Sequence, residues 1–91
     1  MDKSPRVMCA ALRQMAPPHQ IFKGRDHSKA MHEAMKVGVI CFKCQEGFVL
    51  TDGTFVDRVQ AMAIAKENGQ VYSDYRRHTS LSSYMFLGSS V

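Results

Sequence analysis

At 91 residues, with 45% apolar residues, no tryptophan and a formal net charge of +4, the chain is the size of one small globular domain. No run approaches the roughly 20 apolar residues of a membrane span. The N-terminal MDKSPRVMCAAL lacks the long apolar run of a signal peptide, and three cysteines, an odd number, argue against a secreted disulfide framework. The expectation is a soluble intracellular protein, residues 1–91 as a single domain, whose small positive excess tilts it toward anionic partners.

In chain order, Arg6 to Gln14 alternates Val7, Cys9 and Ala11 with Met8, Ala10 and Leu12, so both faces are apolar. Periodicity fits a central strand or a short helix, and the strand is preferred. Ala16-Pro17-Pro18-His19 breaks regular structure, and Gln20 to Gly24 reads as a second strand pairing back through a long loop. Asp26 or Ser28 caps the next segment, HSKAMHEAMKVG, which reads as a helix ended by Gly38. Ala30 with Ala34 and Met31 with Met35 share a stripe at i, i+4 spacing, and the methionines read as flexible core filler. Val39 to Gln45 is apolar enough for a strand or a buried connector.

The best-defined stretch is Gly47 to Gln70. Two apolar runs, Phe48-Val49-Leu50 and Phe55-Val56, flank Asp52-Gly53, which suits a two-residue type I′ turn. Asp57 follows as a helix N-cap with Gln60 three residues on, the spacing of a capping box. Val59 to Ala65 carry the helix, and Gly69 stops it. Tyr72 to Val91 form a tail with a basic cluster, Arg76-Arg77-His78, and aromatics expected to pack, with Gly88 to Val91 mobile. The fold class is therefore α+β: a small, mostly antiparallel sheet in β-β-α-β-β-α order, two helices on one face, and the tail 72–91.

Three groups of residues can carry chemistry. Cys41 and Cys44 have CxxC spacing and, with Cys9, offer a partial zinc set. Strand geometry would point the pair to opposite faces, so buried thiols are the simpler reading. Gly24-Arg25-Asp26-His27 stands at a strand-to-helix junction, where free N–H groups suit an anion. Arg58, in the first turn of the second helix, opposes the dipole and therefore calls for an anionic partner in a ligand, Asp52 or Asp57. Arg76, Arg77 and the nearby tyrosines could contact nucleic acid, but no helix-turn-helix, RRM or zinc-finger pattern accompanies them. Nucleophile-elbow, Walker-loop and HExxH patterns are missing, so nothing supports an enzyme and no cofactor is expected.

From Gly47 to Gln70 the residues Gly47-Phe48, Thr51, Gly53, Phe55-Val56-Asp57-Arg58, Ala61, Ile64-Ala65 and Gly69-Gln70 resemble a pattern of small phage- and prophage-encoded proteins, GFx(S/T)xGxFVDRxxAxxIAxxxGQ. Cys9-Ala10-Ala11-Leu12 and Gly24 to His27 are similar to that family's opening strand and G-x-x-H element. Leu81 to Phe86 matches its L-Y-S-E-D-L-aromatic tail in part, without the acidic pair. The resemblance implies a phage origin and interference with host processes.

Combined with the basic helix starts, this gives a leading expectation: a non-catalytic counter-defence protein of the host cytoplasm that sequesters a small anionic, nucleotide-derived immune signal. Its ligand-binding set is Arg25, His27, Thr51, Asp57, Arg58 and Ser82, in a homo-oligomer where a neighbour's tail closes the site. An inhibitor of a host defence protein such as a CRISPR effector is the alternative, and a small nucleic-acid-binding module the second alternative.

Overall fold

In the computed structural model the described residues are 5–86, the Cys41 side chain excepted. Four strands, β1 (Val7–Gln14), β2 (Ile21–Gly24), β3 (Cys44–Leu50) and β4 (Phe55–Asp57), form one sheet in the order β2-β1-β3-β4. Every neighbouring pair is antiparallel. The helices are α1 (His27–Lys36) and α2 (Arg58–Glu67). The expected α+β class and β-β-α-β-β-α order hold. The apolar-on-both-faces segment 6–14 is the central strand because β2 and β3 pair with its two edges.

The helices lie over one face of this sheet, on Ala10, Phe48, Leu50 and Val56, with α1 toward β2 and β1 and α2 toward β3 and β4. The main core adds Ala61, Met62 and Ala65 of α2 and, from the chain beyond it, Val71, Leu81, Met85 and Phe86. Phe48 is fully buried at its centre, edge-on to Phe86 at 5.5 Å and to His27 at 5.0 Å. The tail therefore packs on its own chain, joined to Val71 by an isolated bridge at Phe86. The mobility expected for Gly88 to Val91 falls outside the described residues. On the other face, Cys9, Ala11 and Val49 form a smaller cluster sheltered by Met8, Ile21 and Phe55, without a helix over it.

Both helices have the expected caps. Asp26 accepts from Lys29 N–H at 2.9 Å, and Asp57 accepts from Gln60 N–H at 2.7 Å. Only α2 completes a capping box, with the Gln60 side chain accepting from Asp57 N–H. The C-termini are also alike. Gly38 and Gly69 take positive φ, and the next residues, Val39 and Gln70, donate back to Ala34 and Ala65, forming two Schellman motifs.

Two local expectations are corrected. Most of the Val39–Gln45 run is neither strand nor buried connector: Cys41–Lys43 make a 3₁₀ turn, Ile40 and Phe42 face solvent, and only its last two residues, Cys44 and Gln45, open β3. The β3–β4 turn is wider than a two-residue type I′. Gly53 N–H donates to Leu50 carbonyl, Leu50 N–H to Thr54 carbonyl, and among these residues only Gly53 has positive φ. That is a three-residue loop with a left-handed glycine, selected because the Asp52 carboxylate takes the Thr54 N–H and keeps Asp52 itself right-handed.

Candidate functional site

The first turns of α1 and α2 meet at one piece of the tail, Leu81-Ser82-Ser83. At α2, Arg58 Nε donates to the Leu81 carbonyl at 2.9 Å and its Nη2 to the Ser82 hydroxyl at 2.8 Å. Leu81 N–H returns a bond to the Arg58 carbonyl at 2.9 Å, so residue and tail bracket each other. At α1, His27 N–H donates to Ser83 Oγ at 3.2 Å. The His27 ring bridges inward: Nε2 lies 2.9 Å from the Gly47 carbonyl and Nδ1 2.9 Å from Ser83 Oγ. A carbonyl only accepts, so Nε2 carries a proton toward Gly47, while Nδ1 shares a hydrogen bond with the serine hydroxyl. Gly47 in turn stands opposite Asp57, the cap of α2, in the β3–β4 register.

Arg58, His27, Asp57 and Ser82 are thus gathered at one junction, with Arg25 two residues before His27 and exposed. Within the chain the partner of Arg58 is neither Asp52 nor Asp57 but a carbonyl and a hydroxyl, both neutral oxygens. Thr51 stands apart. Its Oγ1 accepts from Arg6 N–H at 3.1 Å, and with Met8, Ile21, Lys23, Val49, Asp52 and Gly53 it lines a groove of about 510 Å³ on the helix-free face. There the Thr54 N–H holds the Asp52 carboxyl below the usual carboxylate range.

Of the partial zinc set, the Cys41 side chain lies outside the described residues, and Cys9 and Cys44 are not brought together. Cys9 pairs with Val49 on the helix-free face, whereas Cys44 pairs with Gln14 five rungs away on the other. Among the described residues no three His, Cys, Asp or Glu side chains are grouped to hold a metal. Burial pushes the Cys9 thiol up, against the opposing pull of Lys23, which keeps it a neutral, poorly nucleophilic group.

Two participants escape a reading of helix starts: Ser83, and the Gly47 carbonyl. A signal for Ser83 was present, since it fills the serine position of the L-Y-S-E-D-L tail pattern. Nothing local marks a strand carbonyl as a histidine's partner. The basic cluster Arg76-Arg77-His78 is exposed, and Arg76 shares a hollow of about 270 Å³ with Lys66, Gly69 and Val71. No described helix is long and apolar enough to cross a membrane.

No curated protein and no solved structure matches the chain. A family model, described as phage T4 y16D protein, matches residues 6–86, a span that takes in every strand and helix and both halves of the junction. The chain belongs to the phage T4 y16D protein family and is a small phage protein.

Proposed function

We propose that this phage protein acts in the host cytoplasm as a counter-defence factor, sequestering a small anionic, nucleotide-derived immune signal without converting it. One observation carries the reading: both α-helices aim their first turns, with Arg58 and the His27 N–H, at the same short stretch of tail oxygens. A helix start combines free N–H groups with the positive end of a dipole, and a guanidinium adds planar donors that match phosphate. A phosphate would exchange with the Ser82 and Ser83 hydroxyls at donors already positioned for oxygen. Exposed Arg25 would supply further charge and Asp57 would keep the α2 cap, whereas Thr51, in the groove on the helix-free face, would take no part.

The test is calorimetry of the folded protein against cyclic dinucleotides and cyclic ADP-ribose-type molecules. Saturable binding that Arg58→Ala weakens by about tenfold or more, the loss of one charge-assisted bond, supports the reading. Flat titrations across that panel overturn it. A stoichiometric host protein retained equally by the Arg58→Ala chain would instead favour inhibition of a defence protein, such as a CRISPR effector. Binding to DNA or RNA that falls steeply with salt and is lost in Arg76→Ala/Arg77→Ala would favour the nucleic-acid module.

A further inference from the structure

At the opposite end of α2 from Arg58, the fold brings two cations to one hollow. Lys66 stands about 12 Å along the helix axis from Arg58, at 1.5 Å per residue. Arg76 follows ten positions later, and the chain between them doubles back. Gly69 takes a positive φ of 65°, Val71 bridges to Phe86, and Tyr72 N–H donates to the Met85 carbonyl at 3.0 Å. Tyr75 N–H then donates to the Tyr72 carbonyl at 2.9 Å, in a 3₁₀ turn over Ser73–Tyr75 that Arg76 ends. Lys66, Gly69, Val71 and Arg76 line the resulting hollow of about 270 Å³. Its walls are set by the core: Val71 is buried there, and half-buried Tyr75 packs on it, edge-on to Tyr84 at 5.6 Å.

The fold itself occupies neither cation. A basic side chain at a helix C-terminus ordinarily serves the last carbonyls. Here backbone and amide donors take them: Asn68 N–H and Nδ2 donate to Ile64, Gln70 N–H to Ala65 and Gly69 N–H to Lys66. Among the described residues the one ion pair is Glu33–Lys36 on α1, so neither Lys66 nor Arg76 has a carboxylate partner there. Glu67 and Asp74, acids close to them in sequence, do not line the hollow. Two like charges at one concavity repel each other, and an anion between them turns that repulsion into attraction.

We propose that this hollow is a second anion site, which binds a phosphate monoester. Two converging cations match a group with close to two charges on one phosphorus, as a monoester has near neutral pH. A phosphodiester, whether cyclic or in a nucleic-acid backbone, brings one charge per phosphorus and suits a stripe of cations instead. Arg76 offers phosphate oxygens a planar fork of donors, and the Lys66 ammonium adds a point charge. The volume lies just below the roughly 300 Å³ at which small-molecule sites begin, which suits a sugar phosphate and excludes a dinucleotide. The site stands apart from the helix-start junction and does not depend on the reading given to it.

Amide NMR of the isotope-labelled full chain, titrated with ribose-5-phosphate at a pH of about 7.5 where the monoester is a dianion, tests it. Saturable shifts are expected at Gly69, Val71 and Arg76, with a Kd of about 1 mM or below. Dimethyl phosphate, a diester, is expected to bind about tenfold more weakly or not at all. Lys66→Ala and Arg76→Ala, at exposed positions, should each weaken the monoester by about tenfold, the loss of one charge-assisted contact. Arg77→Ala, also exposed but outside the hollow, should leave it unchanged. A flat titration overturns the proposal. Equal affinity for dimethyl phosphate overturns it as well and passes the hollow to a phosphodiester backbone. Binding that survives Lys66→Ala and Arg76→Ala but is lost in Arg58→Ala would put the phosphate at the helix starts, and overturns it too.

Discussion

Helices α1 and α2 are each ten residues long, start on an aspartate cap and stop at a left-handed glycine, yet they are held in different ways. Helix α2 buries Ala61, Met62 and Ala65 in the main core. Helix α1 buries only Ala30 and Ala34, and leaves Met35 in solvent. The alanines let α1 settle so close to β2 that a methyl group on Gly24 would meet the backbone at Ala30 and the side chain of Lys29. With so little room beneath it, the helix has no inner space for methionine. End signals set where a helix begins and stops. Side-chain volume on its inner stripe sets how it is held, and α1 gains close backbone contact where α2 gains buried apolar area.

The sharpest way to break this contrast is a pair of identical substitutions. Met62→Ala empties a site that is 1% exposed and should destabilise by about 2–5 kcal/mol, the range for deleting a buried large side chain. Met35→Ala should stay within about 0.5 kcal/mol, as for other solvent-facing changes. Urea unfolding of the two variants measures both. Comparable losses would mean that α1 is as deeply embedded as α2.

Next in size is a contact at the end of α2 that α1 lacks. Buried Gln70 accepts from Val7 N–H at 3.0 Å and donates to the Val7 carbonyl at 2.8 Å, stitching the chain after α2 to β1 beside its bulge. Gln70→Ala strands two backbone groups at a residue only 1% exposed, so a loss of about 2–4 kcal/mol is expected. Thermal unfolding would show it. A loss under about 1 kcal/mol would mean that water replaces the amide, and that Val7 is less closed off than its burial implies.

What could be read in advance follows the same division between local and remote causes. The capping box at Asp57 and Gln60, and the glycine stops at Gly38 and Gly69, depend on residues within five positions of one another, so the sequence displays them directly. The Val39–Gln45 segment misleads because an apolar run without a period does not say whether anything lies over it. Met35 misleads similarly, since i, i+4 spacing identifies a stripe but not which stripe turns inward. The partners of Arg58 and His27 are Ser82 and Ser83, 24 and 56 positions away. Their meeting depends on how Leu81, Met85 and Phe86 enter the core, which no local pattern encodes. A neutral tail oxygen therefore stands where sequence alone suggested an anion.

The tail contact itself separates the helices again. Arg58→Ala removes a guanidinium that holds both the Leu81 carbonyl and the Ser82 hydroxyl, and a cost of about 1–3 kcal/mol is expected for a half-buried charged donor. Ser83→Ala removes the acceptor of His27 N–H and the partner of Nδ1 at α1, with about 1–2 kcal/mol expected for neutral groups. Hydrogen exchange should show Leu81 and Met85 amides opening sooner in both variants, and more in Arg58→Ala. Reversed effects would assign the tail to α1 instead, and equal ones would divide it between the two helices.

The smallest difference lies in the caps. Asp26 and Asp57 each take an N3 amide, but only at α2 does the N3 side chain return the bond, Gln60 Oε1 accepting from Asp57 N–H at 3.0 Å. In α1 the third helical residue is Lys29, whose ammonium cannot accept. Asp57→Ala therefore loses the acceptor of the Gln60 N–H and leaves the reciprocal arm, made to the backbone N–H of residue 57, as half of a box, and should cost about 1–2 kcal/mol, against about 0.5–1 kcal/mol for Asp26→Ala. Lys29→Gln would supply α1 with the missing arm and should recover a few tenths of a kcal/mol, as a second satisfied amide at an exposed helix end does. If Lys29→Gln leaves the unfolding midpoint unchanged while Gln60→Ala lowers it, the reciprocal bond matters only where the helix start also carries the tail. The stability of α2's first turn would then belong to the junction with Leu81 and Ser82 as much as to its own cap.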